Sequence, residues 1–476
     1  MTDVQAPDIT MPLPAIPGQP SPQLPSARRQ PPGRAGGPGA PGTVRRHWDL
    51  LGSATSLVAT TGVASVLGFV YWALAARLFS QRAVGYGSAA ISAMTLLGTI
   101  GMLGLGTVLI GELPRRRDRA RLVAAALLAS GVGSALLGAG FAMIAPHISG
   151  HFGHISGGLG QAALFTAGVC LTGASLVFDQ ATIGLLRGGV QLARNVVFAV
   201  VKLAVLPATA LVLHDRFGMG ITASWVAGLA ASMLLVALWL RVTGTHVLPR
   251  PDWGVLRGLG RTAVAHSWLN LAITVPRSLI PVLVTVIVSP SANAAFYAAW
   301  TLSGFLYIVP THLSTVLFAV ASADPQIIAR KLRFTLGLSA LLGLAGMVVL
   351  ASSAHFALSL FGPGYARAAT VPLLLLVAGY VPTVPKLHYI AVCRAEGRIT
   401  RAAAVLTAAA VAEVTAAALG GASAGLNGLT LALLGVFFLE GLVTAPSVTR
   451  AAAGHGRHRR VNPRRTAAEA HGDYGK

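Results

Sequence analysis

One charged residue stands in the middle of a stretch otherwise made for hydrocarbon. In SWLNLAITVPRSLIPVLVTVIVS (267–289), Arg277 falls near the centre of a run long enough to cross a bilayer, because about 30 Å of hydrocarbon needs about 20 apolar residues in a helix. A guanidinium at that depth costs roughly 2.5–3.5 kcal/mol on insertion scales and is normally found facing a bundle interior or a wet cavity. There it either pairs with a carboxylate or binds an anion. Pro276 and Pro281 flank it, and each removes a backbone hydrogen bond and frees a carbonyl to line such a cavity. Lys202 in AVVKLAVLP and Lys386 in VPTVPKLHY are the other basic residues inside spans. Lys202 lies at about the depth of Asp179 in the span before it, so an ion pair between the two is expected. Lys386 either serves the cavity or snorkels to the interface along its long stem. Arg77, at a span end, either points inward at the rim or anchors at the interface. Glu413 in AVAEVTAAAL and Glu440 in FFLEGLVTA have no basic residue near them in sequence. With Asp179 they are the acids able to carry a coupling proton, or else neutral groups hydrogen-bonded between helices.

Other chemistries find less support. His147, His151 and His154 in HISGHFGH have a metal-like spacing, but the stretch is Gly-rich with no Cys, Asp or Glu beside it and reads as a solvated loop. The two cysteines, Cys170 and Cys393, fall in or at the ends of apolar segments, which indicates neither a disulfide framework nor a metal site. No G-x-x-x-x-G-K-[ST] loop occurs, so no nucleotide-driven motor of that kind and no cofactor is expected. Acid–base or metal catalysis of polymer assembly calls for paired carboxylates or a sizeable active-site loop, and neither is visible in the spacing. The chain is expected not to be an enzyme.

These residues need a membrane bundle to hold them. With 54% hydrophobic and 11% charged residues over 476 positions, the chain reads as an all-α polytopic membrane protein. Apolar runs predict about twelve spans, at roughly 54–76, 84–111, 120–146, 160–186, 195–213, 219–241, 262–288, 293–321, 334–360, 369–392, 399–420 and 425–447. The formal charge of +22 is spread between and beyond these runs, which suits anionic headgroups and the positive-inside effect rather than nucleic acid. Alternating the loops places Arg115–Arg117, Arg187, Arg194, Arg241 and Lys331 on one side, against Arg77, Arg82, Arg216 and Arg367 on the other. That predicts cytoplasmic termini and a multi-pass protein of a bacterial cytoplasmic membrane. Residues 1–46 form a Pro/Gly-rich tail expected to be disordered, and 449–476 a basic tail suited to anionic lipid.

A short internal repeat links LFSQRAVGYGSAA (78–90) to IVSPSANAAFYAA (287–299), with Ser80 matching Ser289 and Ala83 matching Ala292. Each precedes a basic stretch, ELPRRRDRAR or ADPQIIARKLR. A parallel repeat implies two six-helix lobes, 47–245 and 246–448, with a cavity between them, which is a transporter's plan.

Three stretches, YWALAARLFSQRAVGYGSAAISAMTLLGTIGMLGLGTVLI (71–110), FDQATIGLLRGGVQLARNVVFAVVKLAVLP (178–207) and LSLFGPGYARAATVPLLLL (358–376), resemble the polysaccharide exporters of the multidrug/oligosaccharidyl-lipid/polysaccharide (MOP) superfamily. The resemblance runs over about 50–447 and is greatest to O-antigen-type flippases. Lipid II flippases are similar but usually carry two further helices. What the resemblance implies is a MATE/flippase-like bundle that moves lipid-linked oligosaccharide units of the undecaprenyl-diphosphate type by alternating access. A polymerase or glycosyltransferases are implied as partners. Arg277, Lys386, Lys202 and Arg77 would then line a cationic cavity, with Asn270, Tyr297, Trp300, Tyr307 and His388 as sugar contacts or packing residues. A drug or organic-cation antiporter of the same superfamily, or a membrane enzyme of polysaccharide assembly, are the alternatives.

Overall fold

The structure is a computed structural model, and it describes residues 65–115, 119–152, 157–185, 187–213, 218–242, 253–323 and 327–454. The expected N-terminal tail, most of the basic C-terminal tail and His154 lie outside the described residues. Every long element is a helix. The first half holds α1 (Ser65–Leu78), α2 (Gln81–Gly101), α3 (Leu105–Glu112), α4 (Arg119–Ile148), α5 (Leu159–Gly184), α6 (Gly188–Leu213) and α7 (Met219–Val242). The second half holds α8 (Trp253–Leu283), α9 (Pro290–Gly304), α10 (Ile308–Ala323), α11 (Ile328–Ser352), α12 (Ala354–Ser359), α13 (Pro363–Ala378), α14 (Tyr380–Ala395) and α15 (Ile399–Ala452).

Nine of the described helical stretches are long and apolar enough to cross a membrane, and α13 and α14, bent by 46° at Gly379, make a tenth together. The 54-residue α15 contains non-helical backbone at Ala424 and at Gly425, whose φ of 61° suits a residue without Cβ. It is therefore two arms joined by a turn, and Gly420 and Gly428 lie so close across it that a Cβ on either would meet the other's carbonyl oxygen within 2.5 Å. With both arms counted and α1 as the first crossing, the chain follows the expected order of twelve. Some expected spans are broken. The run 84–111 divides between α2 and α3, where Leu103 and Gly104 take positive φ, and 293–321 divides around a 3₁₀ turn at Phe305–Tyr307.

The repeated motif has a clear structural job. Ser80 Oγ accepts from Ala83 N–H at 3.2 Å and starts α2, and Ser289 Oγ accepts from Ala292 N–H at 3.0 Å and starts α9. Such caps satisfy backbone donors that a helix start leaves unpaired, which matters most where water is scarce. The two capped helices cross each other. Asn293 Nδ2 donates to the Gly85 carbonyl at 2.9 Å and to Ser88 Oγ at 3.0 Å, and Gln81 Nε2 donates to the Ser291 carbonyl at 3.1 Å. A Cβ on Gly85 would lie 1.7 Å from the Pro290 carbonyl oxygen, so only glycine permits this crossing. Around it one apolar core joins the halves, with Tyr71, Trp72, Leu206 and Ile221 on one side and Phe296, Phe361 and Leu373 on the other.

Candidate functional site

Two prolines and a π-turn weaken α8 where Arg277 stands. Pro276 and Pro281 lie inside the helix, and Val284–Val288 continues it with π geometry. The carbonyls four residues before these prolines, those of Ala272 and Arg277, lose their helical donors. Ala272, Pro276 and Arg277 all line a cavity of about 290 Å³. Its other walls are Trp300 of α9, Tyr307 of the following turn, Thr383 and Lys386 of α14, and Glu413 and Phe437 of α15. Arg277 is exposed and makes no hydrogen bond or ion pair among the described residues, so its guanidinium is available to a ligand.

In the same cavity, Lys386 joins three transmembrane segments. Its Nζ donates to Glu413 Oε1 at 2.7 Å and to Glu440 Oε2 at 2.8 Å. The glutamates come from the two arms of α15, roughly 18 and 22 Å from the turn at Gly425 along each arm. Both are buried, while the Lys386 side chain keeps 17% of its surface. Two carboxylates share one ammonium, a pairing that sequence spacings of 27 and 54 residues conceal. Snorkelling is thereby replaced by ion pairing, and the two acids are paired with each other in space, contrary to the absence expected from spacing.

The remaining candidates scatter. Lys202 is buried but not on Asp179. Its Nζ lies over the rings of Trp225, Phe198 and Tyr71, at 4.1, 4.4 and 4.7 Å from their centroids. Asp179 is taken instead by Arg194, through Nε to Oδ1 at 3.0 Å and Nη2 to Oδ2 at 2.6 Å. The expected Lys202–Asp179 pair is thus corrected. The reason is that α6 begins at Gly188, which carries Arg194 well inside the helix rather than into a loop. Arg77 donates through Nε to the Leu360 carbonyl at 2.9 Å and through Nη2 to that of Ser359 at 2.8 Å, tying α1 to the end of α12, and it is not among the residues lining the Arg277 cavity.

Of the aromatic and polar candidates, Trp300 and Tyr307 line the cavity, and Asn270, Tyr297 and His388 are absent from its lining. Asn270 Oδ1 accepts from Arg394 at 3.4 Å, Tyr297 packs on Trp72 with ring centroids 4.6 Å apart, and buried His388 turns Nδ1 to the Val384 carbonyl at 3.0 Å. All the residues that line this cavity come from the second half. His147 ends α4 and His151 sits in the turn Gly150–Phe152. Among the described residues no group of three His, Cys, Asp or Glu is placed to hold a metal.

The bundle with its bent tenth span and hairpin end matches solved structures over nearly all of their length. An inward-facing conformation of a multidrug resistance MATE family transporter of the MOP superfamily aligns with TM-score 0.64 at 15% identity, covering 83% of this chain and 96% of that one. This is the MATE-type fold. An outward-facing conformation of a multidrug resistance MATE family transporter aligns with TM-score 0.56 at 15% identity, covering 84% and 95%. A MOP superfamily transporter from Pyrococcus furiosus Vc1 (DSM3638), described as having a binding pocket of reverse polarity that suggests a different function, aligns with TM-score 0.50 at 15% identity over 83% and 96%. No protein-family model matches the sequence, and no curated protein matches it either. At these identities the MATE-type fold is what is shared.

Proposed function

We propose that this protein is an alternating-access transporter that moves lipid-linked oligosaccharide units, with a diphosphate between lipid and sugar, across the bacterial cytoplasmic membrane. The observation that carries the reading is Arg277, a guanidinium at mid-span with no hydrogen bond or ion pair among the described residues, in a cavity shared with Trp300 and Tyr307. An arginine fork is the side chain best suited to phosphate oxygens, and the attraction is strongest where water is partly excluded. Aromatic faces beside it suit the apolar faces of sugars. At about 290 Å³ the cavity is near the lower end of small-molecule sites, so it seats the phosphates and the first sugar while the lipid stays in hydrocarbon. The MATE-type fold supports the transport step. Glycosyltransferases or a polymerase acting on the same glycan are the partners this reading implies.

A second reading, an organic-cation antiporter, draws on Glu413 and Glu440, since carboxylates are what a cationic substrate needs. Cells lacking the protein separate the two. Under the first reading they lose surface polymer and keep wild-type susceptibility to cationic drugs. Restoring the gene with Arg277→Ala leaves protein in the membrane and no polymer, and full polymer output from that variant refutes the role given to Arg277.

A further inference from the structure

The triad on Lys386 carries an imbalance that the anion-binding reading does not use. One ammonium faces two carboxylates, so the cluster bears a net formal charge of −1, and adding Arg277 of the same cavity brings the set to zero. Each proton taken up by a carboxylate raises that sum by one. With both glutamates neutral, Lys386 and Arg277 are two positive charges lining one cavity.

The geometry allows the ammonium to move. Lys386 is itself a cavity-lining residue and retains more exposed surface than either glutamate. Thr383, Leu387 and Ile390 line the cavity beside it, so this face of α14 is the cavity face. A four-carbon stem can carry the ammonium several Å once its carboxylate acceptors lose their charge. Only proton transfer and the loss of two charge-assisted hydrogen bonds are involved, with no covalent bond made or broken.

We propose that protons bound by Glu413 and Glu440 release Lys386 into the cavity, so that proton binding and anion binding strengthen one another. The proposal rests on the reading of this cavity as an anion site. Its sign follows from linkage: if protonation raises anion affinity, bound anion raises proton affinity by the same factor. Anion binding therefore draws protons in, and affinity rises as pH falls. Other titratable or charged groups on α14 or against it include Tyr380, Tyr389, Cys393 and Arg394 of α14 itself, and Glu396, Arg398 and Arg401 at the junction with α15. Arg277 on α8 and Tyr307 before α10 line the same cavity, His312 lies on α10, and His388 on α14 is buried with Nδ1 on a carbonyl. Arg330, Lys331 and Arg333 stand in the first turns of α11, and Arg367 in the first turns of α13.

The test is calorimetry on the full chain in nanodiscs with a sulfated sugar as probe, because the charge of a sulfate ester is constant from about pH 8 to about pH 5. Wild-type protein should bind roughly tenfold tighter at the lower pH and take up protons on binding, read from buffers of different ionisation enthalpy. Glu413→Gln/Glu440→Gln should bind tightly at both pH values with no proton uptake, and Lys386→Gln weakly at both. Should the double variant fail to fold, Glu413→Gln alone should raise affinity at the higher pH and lessen proton uptake. A pH response that persists unchanged in the glutamine variants overturns the proposal and shifts the titration to His312 or His388. A wild-type protein that binds the probe through Arg277 without proton uptake overturns it too, while leaving the anion site standing. Binding that is absent, or unaffected by Arg277→Ala, removes the anion-site reading and this proposal with it.

Discussion

Lys202, buried, and Lys386, half-buried, lie within the helices of this bundle, and each half houses its own by a different means. Lys202 in α6 sits among three aromatic rings at 4.1–4.7 Å, whereas Lys386 in α14 sits between two carboxylates at 2.7 and 2.8 Å. A ring face stabilises an ammonium by about 0.5–2 kcal/mol and carries no charge of its own. The aromatic cage therefore holds its lysine with no carboxylate partner among the described residues. The carboxylate cradle neutralises its lysine but can be neutralised in turn. Of these two lysines only the one in the second half faces carboxylates, and it also lines the cavity beside Arg277.

Removing each lysine is the sharpest way to break this comparison. Lys386→Met strands two buried carboxylates and should cost about 3–5 kcal/mol, whereas Lys202→Met strands no charge and should stay within about 1 kcal/mol of wild type. Denaturant unfolding in mixed micelles measures both, and equal losses would erase the distinction. Asp179→Asn should fall next, at about 2–3 kcal/mol, because it leaves the buried Arg194 guanidinium with a neutral partner. A double-mutant cycle of Trp225→Leu with Lys202→Met should give a coupling of about 1–2 kcal/mol, and a value near zero would mean that the cage is packing alone. Smallest are the two caps. Ser80→Ala and Ser289→Ala should each cost about 1 kcal/mol in the same unfolding assay. Unequal costs would show that the repeated motif does not do the same work in both halves.

The repeat is also where the sequence was most legible. Ser80 and Ser289 announce helix starts by residue type alone, and their helices prove to cross. The apolar runs located nearly every span, although a turn of backbone at Leu103–Gly104 or Phe305–Tyr307 leaves no mark on hydropathy. Charge partners were far harder to read. Arg194 resembled a loop residue because RGGVQLARNVV is polar and glycine-containing, yet the helix starts at Gly188 and buries it. Depth alone then suggested Lys202 for Asp179, and rotation about the helix axis, which depth does not report, gave that carboxylate to Arg194. Lys386, Glu413 and Glu440 were each recognisable as intramembrane ionisable groups. Their meeting depends on the hairpin turn at Gly425 setting both arms against α14. The α2–α9 crossing is likewise a tertiary fact, set by the close approach of Gly85 to Pro290.

The central claim is that Arg277 receives a phosphate-bearing headgroup during transport. Its most direct measurement is translocation of a fluorescent lipid-diphosphate oligosaccharide by the purified protein in proteoliposomes. Loss of a charge-assisted hydrogen bond of about 1.5–3 kcal/mol predicts that Arg277→Ala slows translocation by roughly 10- to 150-fold, with Arg277→Lys in between. Translocation by Arg277→Ala at the wild-type rate, or transport of an organic cation in place of the glycan, would contradict the account.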